Sequence, residues 1–378
     1  MTKYLPYFQF LRFAMNSENQ SVPNIEGFDW DGFFRFATEQ AISGVAFEGV
    51  KILGNQGMKP PFNLLMEWVA IAVKIEEKNN ILNSECVRLT KLFEAEGHNT
   101  AILKGQANER LYPNPLSRQP GDIDIYVDGG EKRVMDMLLR LKMINKVDIG
   151  EFEGAGNASK SYHHVHLPTN ERGVDVEIHF RPSSGVWNPI ANKKLQSFLK
   201  AEIRSGCKKV DEGFWVPSLR FALVMQMAHI ENHLMDEGIG LRQIIDYYYL
   251  LKSDERQMIG DLSDKFQSFG LSKIAGAVMW ILSEILGLEE KLLIVPVDEW
   301  RGKFLLREII KGGNFGKYSS ERRQNGLGRF ISGRKKHLRF LRFDFKESIW
   351  FELKYWKMQI GKTFFRIKRR SWTVRLFF

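Results

Sequence analysis

The spacing of apolar residues changes twice along the chain, and this constrains the fold more than any other feature. Residues 1–97 and 186–300 place apolar residues three and four positions apart, the spacing of amphipathic helices. Between them, residues 98–185 contain short apolar runs broken by Gly- and Pro-rich turns, which favours strands. The sequence therefore predicts an α+β fold, in which a small mixed β-sheet is flanked by N-terminal helices and a C-terminal helical domain.

The middle segment gives specific strand predictions. NTAILKG (99–105) is a short apolar run that ends in glycine, and DIDIYV (122–127) alternates acidic and apolar residues. An amphipathic helix, EKRVMDMLLRLKMI, follows. Three more runs predict strands, namely KVDIGEFEG (146–154), SYHHVHLP (161–168) and VDVEIHFRP (174–182).

Charge separates the end of the chain from the rest. The formal net charge is +10, and residues 301–378 hold 22 Lys/Arg against 5 Asp/Glu, whereas residues 1–300 hold 33 against 40. The chain is therefore divided into four regions: helices over 1–97, an α/β core over 98–185, a helical domain over 186–300 and a basic aromatic segment over 301–378.

Three interpretations of the basic segment compete. Its aromatic residues pack a final helix on the body, or they enter the surface of an anionic membrane, or the segment binds nucleic acid or another polyanion. The terminal RLFF favours packing first and membrane contact second.

Cysteine usage and hydropathy bear on the compartment. Cys86 and Cys207 lie far apart without a CxxC partner, so we expect no disulfide partners and a reducing environment. The first residues lack the apolar core of a signal peptide, and the longest apolar stretches are short and carry a glutamate. We expect a soluble cytoplasmic protein, with peripheral contact at the inner membrane face as an extension through the basic segment.

Asp122 and Asp124 raise the question of function. Residues two apart in a strand point to the same face, with Cα atoms about 6.5–7 Å apart, so these carboxylates repel each other. Such a pair becomes favourable around hard divalent cations. If VDVEIHF lies beside DIDIYV, Glu177 or Asp175 completes a three-carboxylate cluster. A solvated strand face explains the two aspartates equally well, since this motif alone is a weak signal.

The surrounding motifs carry a resemblance. ILKGQANERLYPNPLSRQPGDIDIYV resembles the core of the DNA polymerase β-like nucleotidyltransferase superfamily, and within it the broad bacterial group of uncharacterised nucleotidyltransferases. The matching motifs are LKG (103–105), YP (112–113), Arg118, GDID (121–124) and VEIH (176–179). The resemblance covers about residues 5–290.

The resemblance implies a metal-dependent nucleotidyltransferase. Asp122, Asp124 and Glu177 would bind two Mg²⁺ ions, and a nucleoside monophosphate would pass from an NTP to a hydroxyl acceptor with release of pyrophosphate. The acceptor would be a small molecule, a saccharide or a protein. The phosphate-binding candidates are Lys104, Gly105 and Arg118. The alternative is a catalytically inactive binding or assembly module of the same fold, associated with a membrane surface.

The chain departs from the superfamily pattern after Gly105. A Gly-Ser or Gly-Gly pair is usual there, whereas this chain has Gln106 and lacks the hydroxyl that contacts a phosphate. The interval from Gly105 to Asp122 is also longer than in compact members of the superfamily. Both traits occur in the uncharacterised group, so they bear on turnover and not on the fold.

Other polar residues have structural and functional interpretations. His229 and His233 are four apart on a predicted helix, and packing is favoured over a zinc site since no third ligand is evident. Arg242 and Asp246 either pair with each other or, with His229, line a nucleotide cleft. The run SYHHVHLP contributes His163, His164 and His166. Strand alternation predicts that His164 and His166 share one face and that His163 lies on the other.

Overall fold

Five short strands form the mixed sheet that the sequence predicts. In this computed structural model, which describes residues 2–16, 22–145, 159–255, 259–319, 326–357 and 359–360, the strand order is β1-β2-β5-β4-β3. The strands are β1 (Thr100–Ile102), β2 (Ile123–Val127), β3 (Ser159–Lys160), β4 (His164–His166) and β5 (Val176–His179). The β2 and β5 strands are parallel, and the other neighbours are antiparallel. The predicted strand over 146–154 lies outside the described residues.

Helices come before, within and after the sheet region of the chain. Those before or within the sheet region are α1 (Leu5–Met15), α2 (Trp30–Glu39), α3 (Ser43–Gly54), α4 (Phe62–Ala95), α5 (Gln106–Glu109) and α6 (Gly130–Arg140). Those after it are α7 (Pro189–Ser205), α8 (Leu219–Met235), α9 (Leu241–Leu251), α10 (Leu262–Ser268), α11 (Ser272–Trp280), α12 (Glu299–Gly312) and α13 (Gly326–Phe343). Residues 345–357 are also helical.

Alternation along the strands gives the sheet one apolar face. Ile123, Ile125 and Ile178 are buried in a cluster with residues of the long helix α4 and of α6. The other face carries Asp124 and Glu177, because residues of opposite parity point away from the apolar cluster. The carboxylates are thus held on a sheet whose position the buried face fixes.

A second apolar cluster joins the helices across the sequence. It contains aromatic residues of α1 and α2, most of the buried side chains of α8 and α9, and Phe340 and Phe351 near the C-terminal end. Within it Phe10 and Phe33 lie with ring centroids 4.7 Å apart. The N-terminal helices therefore share a core with the helical region after the sheet, and the four-part division of the chain stays a prediction.

The apolar spacing predicted that the region after residue 186 is wholly helical, and this prediction is wrong at one place. Two two-residue strands, β6 (Lys208–Lys209) and β7 (Trp215–Val216), form an antiparallel pair between α7 and α8. Strands this short leave no alternation to detect, which is why the sequence did not predict them. Across the described ranges, no helix has the length and hydropathy to cross a membrane.

Candidate functional site

The parallel pairing of β2 and β5 brings two of the predicted acidic residues, Asp124 and Glu177, together. Asp124 lies opposite Glu177 in the register of the two strands, and Asp122 immediately precedes β2. Asp122 and Asp124 both line an open cleft of about 470 Å³. Asp175, the alternative to Glu177, is exposed and accepts a hydrogen bond from the Thr169 hydroxyl. Glu177 is therefore the third carboxylate on this face.

Two cationic side chains contact the buried carboxylate of Asp124. Its Oδ1 lies 3.0 Å from Nε2 of His179, and its Oδ2 lies 3.1 Å from Nζ of Lys104. The contact with Lys104 lacks hydrogen-bond geometry, so Oδ2 is a buried carboxylate oxygen with no hydrogen-bond partner. His179 Nε2 also lies 3.4 Å from Oε2 of Glu177. The sequence pattern VEIH places His179 on the same strand face as Glu177, but His179 was not among the predicted ligands.

Electrostatics keep these groups ionised. Burial lowers the pKa of Lys104, but the carboxylates of Asp124 and Asp122 outweigh this and raise it above its ordinary value. Burial likewise lowers the pKa of His179, yet its hydrogen bonds with Asp124 and Glu177 raise it to about 9. Burial raises the pKa of Glu177, but the hydrogen bond with His179 prevails and brings it to about 2. Anions and cations thus neutralise one another at neutral pH.

Two histidines before and in β4 extend the cluster. Nδ1 of His164 lies 3.1 Å from Oε2 of Glu177 and 3.0 Å from Nε2 of His163. The prediction that His163 faces the opposite side from His164 is wrong, because β4 begins only at His164 and the strand alternation does not extend to its neighbour. Burial lowers the pKa values of both histidines, that of His163 to about 2, so both imidazoles are neutral.

The turn after β1 requires glycine. Gly105 has φ +63° and ψ −106°, a conformation that residues with a Cβ rarely adopt, and α5 follows directly. Gln106 stands where the superfamily has a hydroxyl that contacts a phosphate, but its side chain does not line the cleft. Its Nε2 donates a hydrogen bond to Glu109 at 2.8 Å. Asn83 of α4 donates to the other oxygen of Glu109 at 2.6 Å. A buried polar network therefore holds α5 beneath the turn.

Arg118 lines the cleft, and a buried ion pair with Asp246 of α9 holds its side chain there. Its Nε and Nη2 donate to the two oxygens of Asp246 at 2.8 and 2.9 Å, and the Tyr112 hydroxyl donates to the same carboxylate at 2.7 Å. Asn79 of α4 holds the loop by donating to the carbonyl oxygens of Leu116 and Arg118. The guanidinium is thus fixed in place, with Nη1 near Gly105.

Arg242 has a different partner from the Asp246 that its spacing predicts. Its Nη1 donates to the carbonyl oxygen of Pro120 at 3.1 Å, and its guanidinium carbon lies 5.6 Å from the ring centre of Phe315. Its Nε is buried without a hydrogen-bond partner. Asp246 pairs with Arg118 instead, because the tertiary fold brings the more deeply buried guanidinium of Arg118 close enough to bind both carboxylate oxygens.

The cleft combines acidic, basic and neutral polar groups. Its lining residues are Lys104, Gly105, Arg118, Gly121, Asp122, Asp124, Gln226, His229, Ile230, Arg242, Gln243, Asp246 and Phe315. His229 and Asp246 therefore lie where the functional interpretation of the sequence placed them. Burial and the charge of Lys104 lower the pKa of His229 well below its ordinary value, so its imidazole is neutral. Its ring packs edge-on against His233 at 4.1 Å between centroids.

Metal-ligating potential is concentrated at this face of the sheet. Within the parts of the chain that the structure describes, two groups of three side chains bring donor atoms within 4.8 Å of one another. They are Asp124 with Glu177 and His179, and His163 with His164 and His179. Neither group contains His229 or His233. The arrangement can hold a divalent cation beside a cleft in which Lys104, Arg118 and Arg242 provide positive charge.

Comparison with known proteins assigns the family. No curated protein matches the chain. A solved structure, an antigenic nucleotidyltransferase-like protein from Paracoccidioides brasiliensis, is 14% identical over 55% of this chain and 93% of its own, with a TM-score of 0.29. A family model described as uncharacterised nucleotidyltransferase matches residues 26–287, which include the whole sheet and every residue that lines the cleft except Phe315. The chain therefore belongs to the uncharacterised nucleotidyltransferase family.

Proposed function

We propose that the protein is a metal-dependent nucleotidyltransferase of the DNA polymerase β-like superfamily. It would transfer a nucleoside monophosphate from an NTP to a hydroxyl acceptor and release pyrophosphate. The observation that carries this proposal is the register of β2 and β5, which sets Asp124 opposite Glu177 beside a cleft with three basic side chains. Membership of the family supports the same activity.

The acidic residues suit Mg²⁺. This ion prefers oxygen ligands and is commonly held by one or two carboxylates together with substrate phosphates. Oδ2 of Asp124 is buried, accepts no hydrogen bond and lies 3.1 Å from Nζ of Lys104, so a metal ion would bind an oxygen that has no hydrogen bond to lose. We propose that Asp122, Asp124 and Glu177 together hold two Mg²⁺ ions.

The reaction requires one bond to form and one to break. The acceptor oxygen forms a bond to the α-phosphorus, the bond from that phosphorus to the pyrophosphate oxygen breaks, and the acceptor proton is lost. Bound Mg²⁺ would stabilise negative charge on the phosphates and lower the pKa of the acceptor hydroxyl. Glu177 is ionised and would accept the proton, whereas His179, already protonated at neutral pH, would hold that carboxylate in place.

The basic residues suit the triphosphate. Lys104 is a charged group at the end of the β1 turn, and Arg118 presents Nη1 near Gly105 while its other nitrogens bind Asp246. Arg242 contributes a further guanidinium with an unpaired Nε. We propose that Lys104, Gly105 and Arg118 contact phosphate oxygens, and we add Arg242 to this set.

Nucleotide binding tests the proposal. Isothermal titration of each NTP with Mg²⁺ should show binding that EDTA abolishes. Asp124→Asn and Glu177→Gln should each weaken it at least about tenfold, because each removes a hard anionic ligand. Asp175→Asn is the matched control, since its carboxylate lies just before β5 but is exposed and bound by Thr169. NTP affinity that is unchanged in EDTA or in both variants would contradict the metal site.

Transfer itself requires a second measurement. Incubation with each α-labelled NTP and cell extract should label a small molecule, a saccharide or a protein, and Asp124→Asn should abolish this label. The label identifies the acceptor class and the preferred base.

One observation favours a second candidate, a binding module that does not turn over. Lys104 and His179 already neutralise Asp124, so the fold stabilises these carboxylates with protein cations. In that case NTP binds, but no acceptor in the extract becomes labelled.

A further inference from the structure

We propose that His163, His164 and His179 form a binding site for a transition-metal ion such as Zn²⁺, distinct from the Mg²⁺ ligands of the proposed reaction. The three imidazoles lie on the polar face of the sheet, where β4 pairs with β5. Each contributes one ring nitrogen to a group whose members lie within 4.8 Å of one another.

The spacing matches a coordination sphere. Two nitrogen ligands at the bond length usual for Zn²⁺ are about 3.0–3.4 Å apart when they subtend octahedral to tetrahedral angles. Nε2 of His163 and Nδ1 of His164 are 3.0 Å apart, and Nδ1 of His164 lies 3.1 Å from Oε2 of Glu177. The ring nitrogens of the three histidines are therefore close enough to bind one ion, with Glu177 next to it.

One buried atom in this group has no partner. Nδ1 of His179 accepts and donates no hydrogen bond, although the residue is only 5% exposed. A buried unpaired imidazole nitrogen is unfavourable unless something binds it. The ring of His179 lies 5.3 Å from that of His163 and 5.1 Å from that of His164, between centroids. The unpaired atom thus belongs to a residue already in the cluster.

Ligand type separates this ion from Mg²⁺. Imidazole favours Zn²⁺ and related first-row ions, whereas carboxylate and phosphate oxygens favour Mg²⁺. Glu177 and His179 contact both groups, so an ion bound by the histidines would stand next to the acidic ligands. Binding of that ion does not require that the protein transfer nucleotides.

The test uses untagged full-length protein stripped with a chelator. Titration with Co²⁺, followed by its visible absorption, and with Zn²⁺ against a competing chelator should show one equivalent bound. His163→Ala and His164→Ala should each weaken binding at least about tenfold. His166→Ala is the matched control, because it lies on the same face of β4 but outside the three-histidine group, and it should bind as the wild type does.

Each result decides the matter. No binding by the wild type, or equal binding by the wild type and both variants, would overturn the site. If either alanine variant fails to fold by circular dichroism, His163→Gln takes its place and should show the same loss. Asp122→Asn should reduce NTP binding and leave Co²⁺ absorption unchanged, so failure of this inference and failure of the nucleotidyltransferase proposal give different results.

A separate observation concerns the helix over residues 345–357. We infer that it binds the surface of an anionic membrane. Its exposed face carries Phe345, Ile349 and Leu353 at four-residue spacing, with exposures of 60%, 37% and 55%, and Trp356 follows on the same face. At about 100° per residue these positions lie within about 80° of one another. Phe351 and Glu347, on another face, are buried against the body.

The charges around this apolar stripe indicate the partner. Lys346 and Lys357 are exposed on one flank, within a 301–378 segment that holds 22 Lys/Arg against 5 Asp/Glu. Apolar and aromatic side chains flanked by lysines suit the interface of an anionic bilayer, in which the rings enter the headgroup region and the ammonium groups meet phosphates. Nucleic acid would leave the aliphatic side chains of Ile349 and Leu353 exposed to water.

Vesicle sedimentation tests this inference on the full chain. The protein should pellet with phosphatidylcholine vesicles that contain phosphatidylserine and remain in the supernatant with phosphatidylcholine alone. Leu353→Glu and Ile349→Glu should each reduce pelleting at least about fivefold, since each places a charge in the apolar stripe. Phe62→Glu, which changes a 73% exposed residue at the start of α4, is the control and should pellet normally. Equal pelleting of Leu353→Glu and wild type would overturn the inference, as would binding to RNA that Leu353→Glu leaves unchanged while vesicles are ignored.

Discussion

Replacement of Asp246 by asparagine tests the view that a buried ion pair fixes one wall of the cleft. The side chains of Arg118 and Asp246 are 5% and 7% exposed, and two hydrogen bonds of 2.8 and 2.9 Å join them. Tyr112 adds a third bond of 2.7 Å to the same carboxylate. Asp246→Asn keeps the volume but removes the charge, and its amide directs a donor toward a guanidinium or a hydroxyl that also donates.

The expected loss is large because a buried cation remains unpaired. Removal of one member of a buried pair costs about 3–5 kcal/mol, well above the net value of the pair itself. Burial raises the pKa of Asp246, but the charge and the hydrogen bonds of Arg118 outweigh burial and lower this pKa below its ordinary value. A lowered carboxyl pKa stabilises the fold above the ordinary carboxyl range, and this contribution is lost as the pH falls below about 4.

Urea denaturation at neutral pH measures the change as a lower midpoint at constant slope. Asp175→Asn, at an exposed carboxylate, should change the free energy of unfolding by no more than about 0.5 kcal/mol. The double variant Arg118→Met with Asp246→Leu should recover most of the loss, because neither member of the pair then leaves the other as an unpaired buried charge. A loss below about 1 kcal/mol in Asp246→Asn would refute the argument that this pair is desolvated.

Three further predictions concern buried side chains outside the Asp122, Asp124 and Glu177 cluster. Burial raises the pKa of Glu109 to about 7, so the wild type should lose about 3 kcal/mol of stability as the pH rises from about 4.5 to 7, and Glu109→Gln should abolish that slope in pH-dependent denaturation. Cys86 is fully buried and burial raises its thiol pKa, so a thiol reagent should label it only on unfolding. The half-buried Cys207, whose pKa burial also raises, should react slowly in the native protein. Rapid labelling of both cysteines in the native protein would contradict their burial. Asn79→Ala should cost about 1–3 kcal/mol, because it removes the donor to two loop carbonyls, and should also weaken NTP binding in titration; a stable variant with weakened binding would limit Asn79 to positioning the loop.

Local pattern was sufficient for much of the fold. Apolar spacing predicted the long helix α4 and the helices after the sheet, and alternation predicted β2 and β5 with their acidic faces. It failed at the β6–β7 pair, whose two-residue strands are too short to carry a period. It also failed at His163, because alternation holds only inside a strand and β4 begins one residue later.

The sequence by itself determined which side chains share a face, since the two-residue period of a strand is a property of the local backbone. Asp122 and Asp124 were therefore identifiable as a pair, and Glu177 as a candidate partner. Only the tertiary structure decided that β2 and β5 are adjacent with Asp124 opposite Glu177, and that Asp246 binds Arg118 across 128 positions of sequence. Such contacts depend on how two apolar cores pack, and long-range packing leaves no period in the sequence from which a partner could be read.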